Sequence, residues 1–251
     1  MHQFSRNAIV FGNKGLEILA NTTVVVLGVG GVGSFAIEAL ARSGIGTIII
    51  YDKDVVDITN INRQVHALTS TIGRSKCELM AERVKLINPN CKMIIHNTFV
   101  TSDNITTIFA QKPDYIIEAI DTISIKIEII IQALKHEIPL ISSMGMANKL
   151  DPTKITITDI WKTQNDPIAR IIRKALRERR LGDRKVPVVF SNELPRKSQK
   201  SELSEIANHD SAIRKQQIPP ASVAYVPSVA GLLAASFVIN TTMEKNEIYK
   251  L

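Results

Sequence analysis

Residues 24–33 read VVVLGVGGVG, an apolar run that breaks straight into G-x-G-x-x-G at Gly28, Gly30 and Gly33, and the next apolar run, TIIIYD, ends on Asp52. That order specifies a nucleotide-binding βαβ unit. The glycines let a phosphate approach the backbone, and the helix that follows presents its first N–H groups to the anion. An acid at the end of the second strand is placed to accept both hydroxyls of a ribose. The motif selects a nucleotide without saying which, so the chemistry has to be read farther along the chain.

From Thr22 to Ser143, short β-branched runs alternate with amphipathic stretches: VVVL, SFAIEALARSG, TIIIY, RSKCELMAERVKLI, KMIIH, YIIEAI, SIKIEIIIQALK and PLISS. This alternation predicts an α/β fold, a doubly wound, mostly parallel, Rossmann-like sheet with crossover helices on both faces. Gly44 and Gly46 stop the first helix, Asn88-Pro89 ends the long one, and Ser102 and Asp103 are expected to cap a short one. After Gly145 the style changes. KITITDI, residues 154–160, alternates like a half-exposed strand, and Asp166-Pro167 opens a basic helix, ARIIRKALRERR. Residues 191–220 are polar and read as a mobile loop. Residues 223–239 are the most apolar stretch, but Pro227, Ser228, Gly231 and Ser236 interrupt them, which points to a buried final helix and not a bilayer span. The expected division is a nucleotide-binding core over 1–152, opened by an N-terminal segment, with 153–251 as the C-terminal part of the same domain.

With 251 residues, 45% of them hydrophobic, the chain can bury a full core, and global disorder is excluded. Cys77 and Cys91 are the only cysteines and form no C-x-x-C pair, so neither a disulfide scaffold nor a cysteine-rich zinc site can be built from them. This fits a reducing cytosol, and the N-terminus MHQFSRNAIVFG lacks the apolar core of a signal peptide. A cytoplasmic location is the expectation. Cys77 is assigned no role.

Polar side chains crowd the strand end after Asp52, in KDVVDITNINRQVHAL. Asn60, Arg63 and Gln64 can reach a phosphate chain, and the planar fork of Arg63 suits phosphate oxygens. Lys76 adds a second positive charge. Asp121, directly after YIIEAI, is placed to hold magnesium, which takes a carboxylate together with phosphate oxygens and waters. His66 has two open readings, a nucleotide contact or a packing residue. Ser143, Gly145 and Lys149, in SSMGMANK, neighbour the substrate by position alone.

This set is similar to that of the adenylating enzymes of the ubiquitin-activating superfamily, whose bacterial members include molybdopterin-synthase and thiamine-sulfur-carrier adenylyltransferases. The resemblance covers nearly the whole chain to Pro152 and resumes at the C-terminal run. It implies ATP and magnesium. Gly28, Gly30, Gly31 and Gly33 would then cradle the nucleotide. Asp52 would be the ribose acid, with Asp54, Asn60, Asn62, Arg63, Gln64, Lys76, Asp121 and Thr122 completing the ATP contacts. Asp121 would carry the metal. Arg6, within FSRNAIVFG, would reach into the partner's site, which implies a homodimer, and Arg6, Arg63, Lys76 and Asp121 would be the catalytic set. A monovalent cation, sodium or potassium, is also implied, with no position for it in the spacing.

Within that superfamily, GGVGSFAIEALARSGIG, TNINRQVHAL, EAIDT, PLISSMGMANKLDPTKI and VPSVAGLLAAS resemble the tRNA threonylcarbamoyladenosine dehydratases. The resemblance implies ATP-dependent cyclisation of threonylcarbamoyladenosine in tRNA, beside the anticodon, through adenylation of the threonyl carboxylate and release of pyrophosphate and AMP. The alternative is an adenylyltransferase acting on the C-terminal carboxylate of a ubiquitin-like sulfur-carrier protein. Those enzymes bind zinc through two C-x-x-C pairs, which this chain lacks. A dinucleotide oxidoreductase accounts only for the glycine turn and Asp52.

A formal charge of +7 and a pI near 9.4 favour a polyanionic partner. Arg170, Arg173, Lys174, Arg177, Arg179, Arg180, Arg184 and Lys185 crowd one helix and its exit, opposed only by Glu178 and Asp183. Like-charge repulsion makes that arrangement costly without a partner. RNA backbone binding, with an affinity that falls as salt rises, is the expectation.

Overall fold

A computed structural model describes residues 2–196 and 221–249. In chain order its main elements are helix α1 (Ser5–Ala20), β1 (Thr23–Leu27), α2 (Gly31–Ser43), β2 (Thr47–Tyr51), α3 (Lys76–Ile87) and β3 (Lys92–His96). They continue with α4 (Ile105–Ala110), β4 (Tyr115–Glu118), α5 (Ile123–Lys135), β5 (Leu140–Ser143), β6 (Ile155–Asp159), α6 (Pro167–Glu178), β7 (Pro187–Ser191) and α7 (Tyr225–Lys245). The β-branched runs pair into one seven-stranded sheet of order β3-β2-β1-β4-β5-β7-β6. Every pair is parallel except β6 with β7.

Both faces of the sheet are covered, and for that reason its central strands β1 and β2 are near-continuous apolar runs, TVVVL and TIIIY, with no polar alternation. In β1, Val24 and Val26 pack with Ile37, Leu40 and Val238 on one face, while Val25 and Leu27 pack with Ile108, Ile129 and Ile172 on the other. The strand order reverses between β1 and β4, which each lie beside the other in register, Val26 opposite Ile117. A crevice opens at the carboxyl ends of strands at such a switch point.

Local signals set the helix ends. Gly44 closes α2 in the left-handed conformation, φ 92°, Asn88 closes α3, and Asp166 caps α6 by accepting the Ala169 N–H at 2.9 Å, with Pro167 at the first helical position. The expected cap at Ser102 and Asp103 is corrected. The N-cap of α4 is Asn104, whose side-chain oxygen accepts the Thr101 N–H at 2.8 Å and so spans the turn that the two earlier residues were expected to close.

The expected loop at 191–220 needs a partial correction too. Ser191 is the buried last residue of β7, a strand made from PVVFS that no turn signal announces. The remainder of that loop, from 197, lies outside the described residues. The apolar run at 223–239 falls in α7. That helix is long and apolar enough to cross a membrane, yet over half of its apolar window is buried against α2, β6 and the middle of the sheet. Gly231 lets it approach closely, since a Cβ there would stand 2.2 Å from the Val32 carbonyl oxygen of α2.

Candidate active site

The strand-to-helix turn after β1 is held open by backbone geometry. Gly28 has φ 89°, a conformation that glycine tolerates and other residues rarely adopt. A Cβ on Gly33 would lie 1.8 Å from the Gly28 carbonyl oxygen, so α2 begins as close to β1 as two backbones can come. Gly30, by contrast, has nothing among the described residues within 4 Å of where a Cβ would sit, and no described side chain caps α2. The first-turn N–H groups of α2 are thus left for a ligand, as an anion site at a helix N-terminus requires.

Around this turn lies a cleft of about 780 Å³, within the range of small-molecule sites. Asp52, Asp54, Asn60, Arg63, Gln64 and Lys76 line it from the β2 side, and Asp121 and Thr122 from the end of β4. A smaller hollow of about 200 Å³ lies at the opposite, amino ends of β5 and β7, among Pro139, Leu140 and Pro187, and holds none of the expected site residues.

Asp52 ties the two loops together. One carboxylate oxygen accepts the Val29 N–H at 2.7 Å and the other accepts the Asp54 N–H at 2.8 Å. Asn60 is buried, and its side-chain oxygen accepts from the Asp57 N–H at 3.2 Å. Lys76, the first residue of α3, donates from Nζ to Asp54 Oδ2 at 2.8 Å; the lysine side chain is 7% exposed and the aspartate 50%. Arg63 donates from Nη1 to the Thr59 carbonyl and to Asn62 Oδ1, both at 2.8 Å. Burial pulls its pKa below the ordinary value, while the carboxylates of Asp121 and Asp57 oppose that. Gln64 is buried, lines the cleft, and its Oε1 has no hydrogen-bond partner among the described residues. A hydroxyl donor on a bound nucleotide would satisfy it.

The floor of the cleft is a feature that sequence reasoning missed. Lys126 Nζ lies 2.5 Å from Glu118 Oε2 and also donates to the Ser143 carbonyl at 2.9 Å, with the two side chains 2% and 0% exposed. The Ser142 hydroxyl donates to the same Glu118 oxygen, and Glu118 Oε1 accepts the Ile120 N–H at 2.8 Å. The pair therefore fixes the 119–121 loop that carries Asp121 and joins it to the end of β5. A glutamate inside an apolar run of a doubly covered strand was the available signal, because such a charge must be paired.

The apolar wall was missed as well. Tyr51 stacks on His96 at 4.2 Å between centroids, and Lys53 sits 3.8 Å over the ring of Phe99. Tyr51, Phe99, Val100 and Ile120 all line the cleft, a surface suited to a flat base.

Several expected residues stand elsewhere. Gly33 packs under the turn and Asn62 donates to the Ser222 carbonyl at 2.9 Å, neither lining the cleft. Ser143 and Gly145 line it, but Lys149 is buried beside Asp166 at 3.5 Å and donates to the Ser191 carbonyl at 3.1 Å. Burial lowers its pKa against the pull of Asp166 and Glu193. Arg6 is exposed on α1, away from the lining of its own chain. His66 is buried outside the lining, with its pKa lowered to about 4 by burial and by Lys76 and Arg83, as a packing residue's would be. Burial raises the Cys77 thiol to about 12, so it is no nucleophile at neutral pH.

The cleft fits ATP by its bare helix start, its basic and acidic walls and its apolar side. For magnesium, the described residues hold no cluster of three ligating side chains. The single carboxylate of Asp121 suits an ion that arrives with phosphate oxygens.

The doubly wound sheet with a glycine cradle at its switch point defines a nucleotide-binding protein, and residues 4–250 match the ThiF family, to which the chain belongs. It is 50% identical over 251 residues to a tRNA threonylcarbamoyladenosine dehydratase of Bacillus subtilis, covering 100% of this chain and 98% of the relative. The fold matches the crystal structure of the E. coli tRNA N6-threonylcarbamoyladenosine dehydratase, TcdA, in complex with ATP. The TM-score is 0.85 at 34% identity, over 99% of this chain and 96% of that one. The same E. coli enzyme in complex with AMP matches with a TM-score of 0.84 at 34% identity, over 98% and 96% of the two chains.

Proposed function

We propose that this chain is an ATP-dependent tRNA threonylcarbamoyladenosine dehydratase that cyclises the modified adenosine beside the anticodon. The observation that carries the reading is the single cleft joining a bare glycine cradle to Arg63, Lys76 and Asp121, in a chain half identical over its whole length to an enzyme of that name.

A carboxylate is a poor electrophile, because its leaving group would be oxide. In the proposed reaction a threonyl carboxylate oxygen attacks the α-phosphorus of ATP, the bond to the β-phosphate oxygen breaks, and pyrophosphate leaves. An atom of the same modified side chain then attacks the acyl carbon, AMP departs with the bonding pair, and a ring closes. Holding both groups in one cleft can supply roughly 7–11 kcal/mol of the barrier. No protein nucleophile is needed.

The chain's own task is charge and position. The α2 N-terminus and Gly30 receive the phosphates, Arg63 and Lys76 offset negative charge as it builds, and Asp52 orders the ribose side. Magnesium, held by Asp121 with phosphate oxygens, would supply further charge neutralisation. Residues 1–152 are assigned to the ATP-binding core and 153–251 to the rest of the same domain, a division consistent with β6 and β7 sharing the one sheet.

The reading includes a homodimer in which Arg6 completes the partner's site. Ile9 and Val10, on the same helix as Arg6, are exposed, and Ile58, Leu68 and Ile72 add further exposed apolar surface, the kind that a subunit contact covers. Mixing the Arg6→Ala and Arg63→Ala chains tests this. Crossing restores about a quarter of wild-type sites in statistically mixed dimers, and no recovery refutes it. A cytosolic location is favoured by two free cysteines.

The test of the main reading is AMP release with cyclic-product formation on tRNA carrying threonylcarbamoyladenosine. Stimulation instead by a small protein ending in Gly-Gly would favour the carrier-protein alternative, which the missing cysteine pairs oppose.

A further inference from the structure

The basic helix does not present its cations uniformly. Ala169, Ile172, Ala175 and Leu176 are buried and define the inner face of α6. At about 100° per residue, Arg170, Lys174 and Arg177 fall together on the opposite side, and all three are exposed. Arg173 falls at the boundary between the faces, where its Nη1 donates to the Ile160 carbonyl at 3.1 Å, to the Thr163 carbonyl at 3.2 Å and to the Thr163 hydroxyl. Its guanidinium is used inside the fold. Glu178, 3.9 Å from Lys174, and the exposed Ile171 flank the outer stripe. At the far end Arg180 turns the chain with φ 58°, and Trp161 lies beneath Arg177, ring centroid to guanidinium 5.3 Å.

The helix also has a direction. Ile168, in its first turn, lines the cleft and abuts Gly145 on the cleft wall. Twelve residues then carry the stripe about 18 Å away from the nucleotide site. A row of exposed like charges leading out of an adenylation cleft is complementary to a strand of regularly spaced phosphates whose one modified base must enter that cleft.

We propose that the outer stripe of α6 is the track on which the anticodon arm lays its phosphate backbone, with Arg170, Lys174 and Arg177 on phosphates and Arg173 serving the fold alone. This rests on the tRNA reading above. It divides a basic cluster, uniform in sequence, into three contact residues and one structural residue.

The experiment measures tRNA affinity across a salt series for the full chain, for the triple variant Arg170→Gln, Lys174→Gln, Arg177→Gln, and for Arg173→Gln. Each phosphate contact contributes about 0.7–0.9 to the slope of log affinity against log salt, so the triple variant should flatten it by about 2–3. Its KM for tRNA should rise by roughly tenfold or more, with kcat and the KM for ATP unchanged. Arg173→Gln should lower Tm and leave the slope alone. An unchanged slope in the triple variant, or an equal loss in Arg173→Gln, overturns the assignment. So does a triple variant that keeps tRNA but loses binding to phosphatidylserine vesicles, which would make the stripe a membrane surface. A wild-type chain that binds tRNA with this salt slope yet forms no cyclic product would instead refute the enzymatic reading and leave the track standing.

Discussion

At the end of β2, Lys76 meets Asp54 in an ion pair whose acid is half open to solvent; at the end of β4, Lys126 meets Glu118 in a pair that water does not reach. Both line or underlie one cleft, but they hold charge differently. Glu118 is bound by Lys126, by the Ser142 hydroxyl and by a backbone N–H, so it has no reason to exchange partners. Asp54 can release Lys76 to a phosphate at small cost, because water screens the carboxylate left behind. One side of the cleft is a reserve of charge that ligands can claim, and the other is a fixed frame that sets where they stand.

The largest expected effect is on the frame. Lys126→Met leaves Glu118 buried without its counter-charge and should cost about 3–5 kcal/mol in urea denaturation. Glu118→Met combined with Lys126→Met should recover most of that loss, since a buried pair replaced whole by apolar side chains is often neutral. Similar losses from Lys126→Met and from a change at Asp54 would erase the contrast.

Next comes the catalytic wall. Arg63→Ala or Asp121→Asn should lower kcat for AMP formation by about 100- to 1,000-fold, as removal of a charge-stabilising group does elsewhere. The fold should be intact by circular dichroism; a retained rate would remove these residues from the mechanism.

A third test uses pH. His66 titrates at about 4 in the folded chain against an ordinary 6.5, because burial, then Lys76 and Arg83, disfavour its charged form. The unfolded chain therefore binds the extra proton first, and stability falls as pH drops from about 6.5 toward 4. At pH 4.5 the loss should be about 2–3 kcal/mol relative to pH 7. His66→Leu should flatten this part of the stability profile. An unaltered profile would mean that the ring finds water or a partner.

The smallest effect is expected from Asp54→Asn, about 1 kcal/mol or less on stability, with ATP affinity the more sensitive readout by calorimetry.

The first βαβ unit was legible in the sequence because its determinants are local. Gly28 and Gly33 are needed by the turn itself, and Asp52 ends the very next strand. The frame was not legible, because Lys126 in SIKIEIII has the spacing of an ordinary polar helix face and becomes a partner of Glu118 only when β4 and α5 meet. Lys149 misled for a related reason. Its place after β5 suggests a substrate neighbour, whereas its partner Asp166 arrives with the N-cap of α6. Arg173 looked like its neighbours because a one-dimensional charge count cannot see a helix boundary. β7 escaped because PVVFS opens on a proline, which equally suits a loop.

Gly231 and Pro227 of α7 press on α2 and on Gly31 of the cradle. They are synthesised about two hundred residues after Gly28. A chain still on the ribosome would carry the whole phosphate-binding motif yet lack the helix that seats it, so nucleotide affinity should arrive late and at once. Such sequence-distant packing also slows the final folding step. The C-terminal helix acts as the clasp that turns a translated motif into a working one.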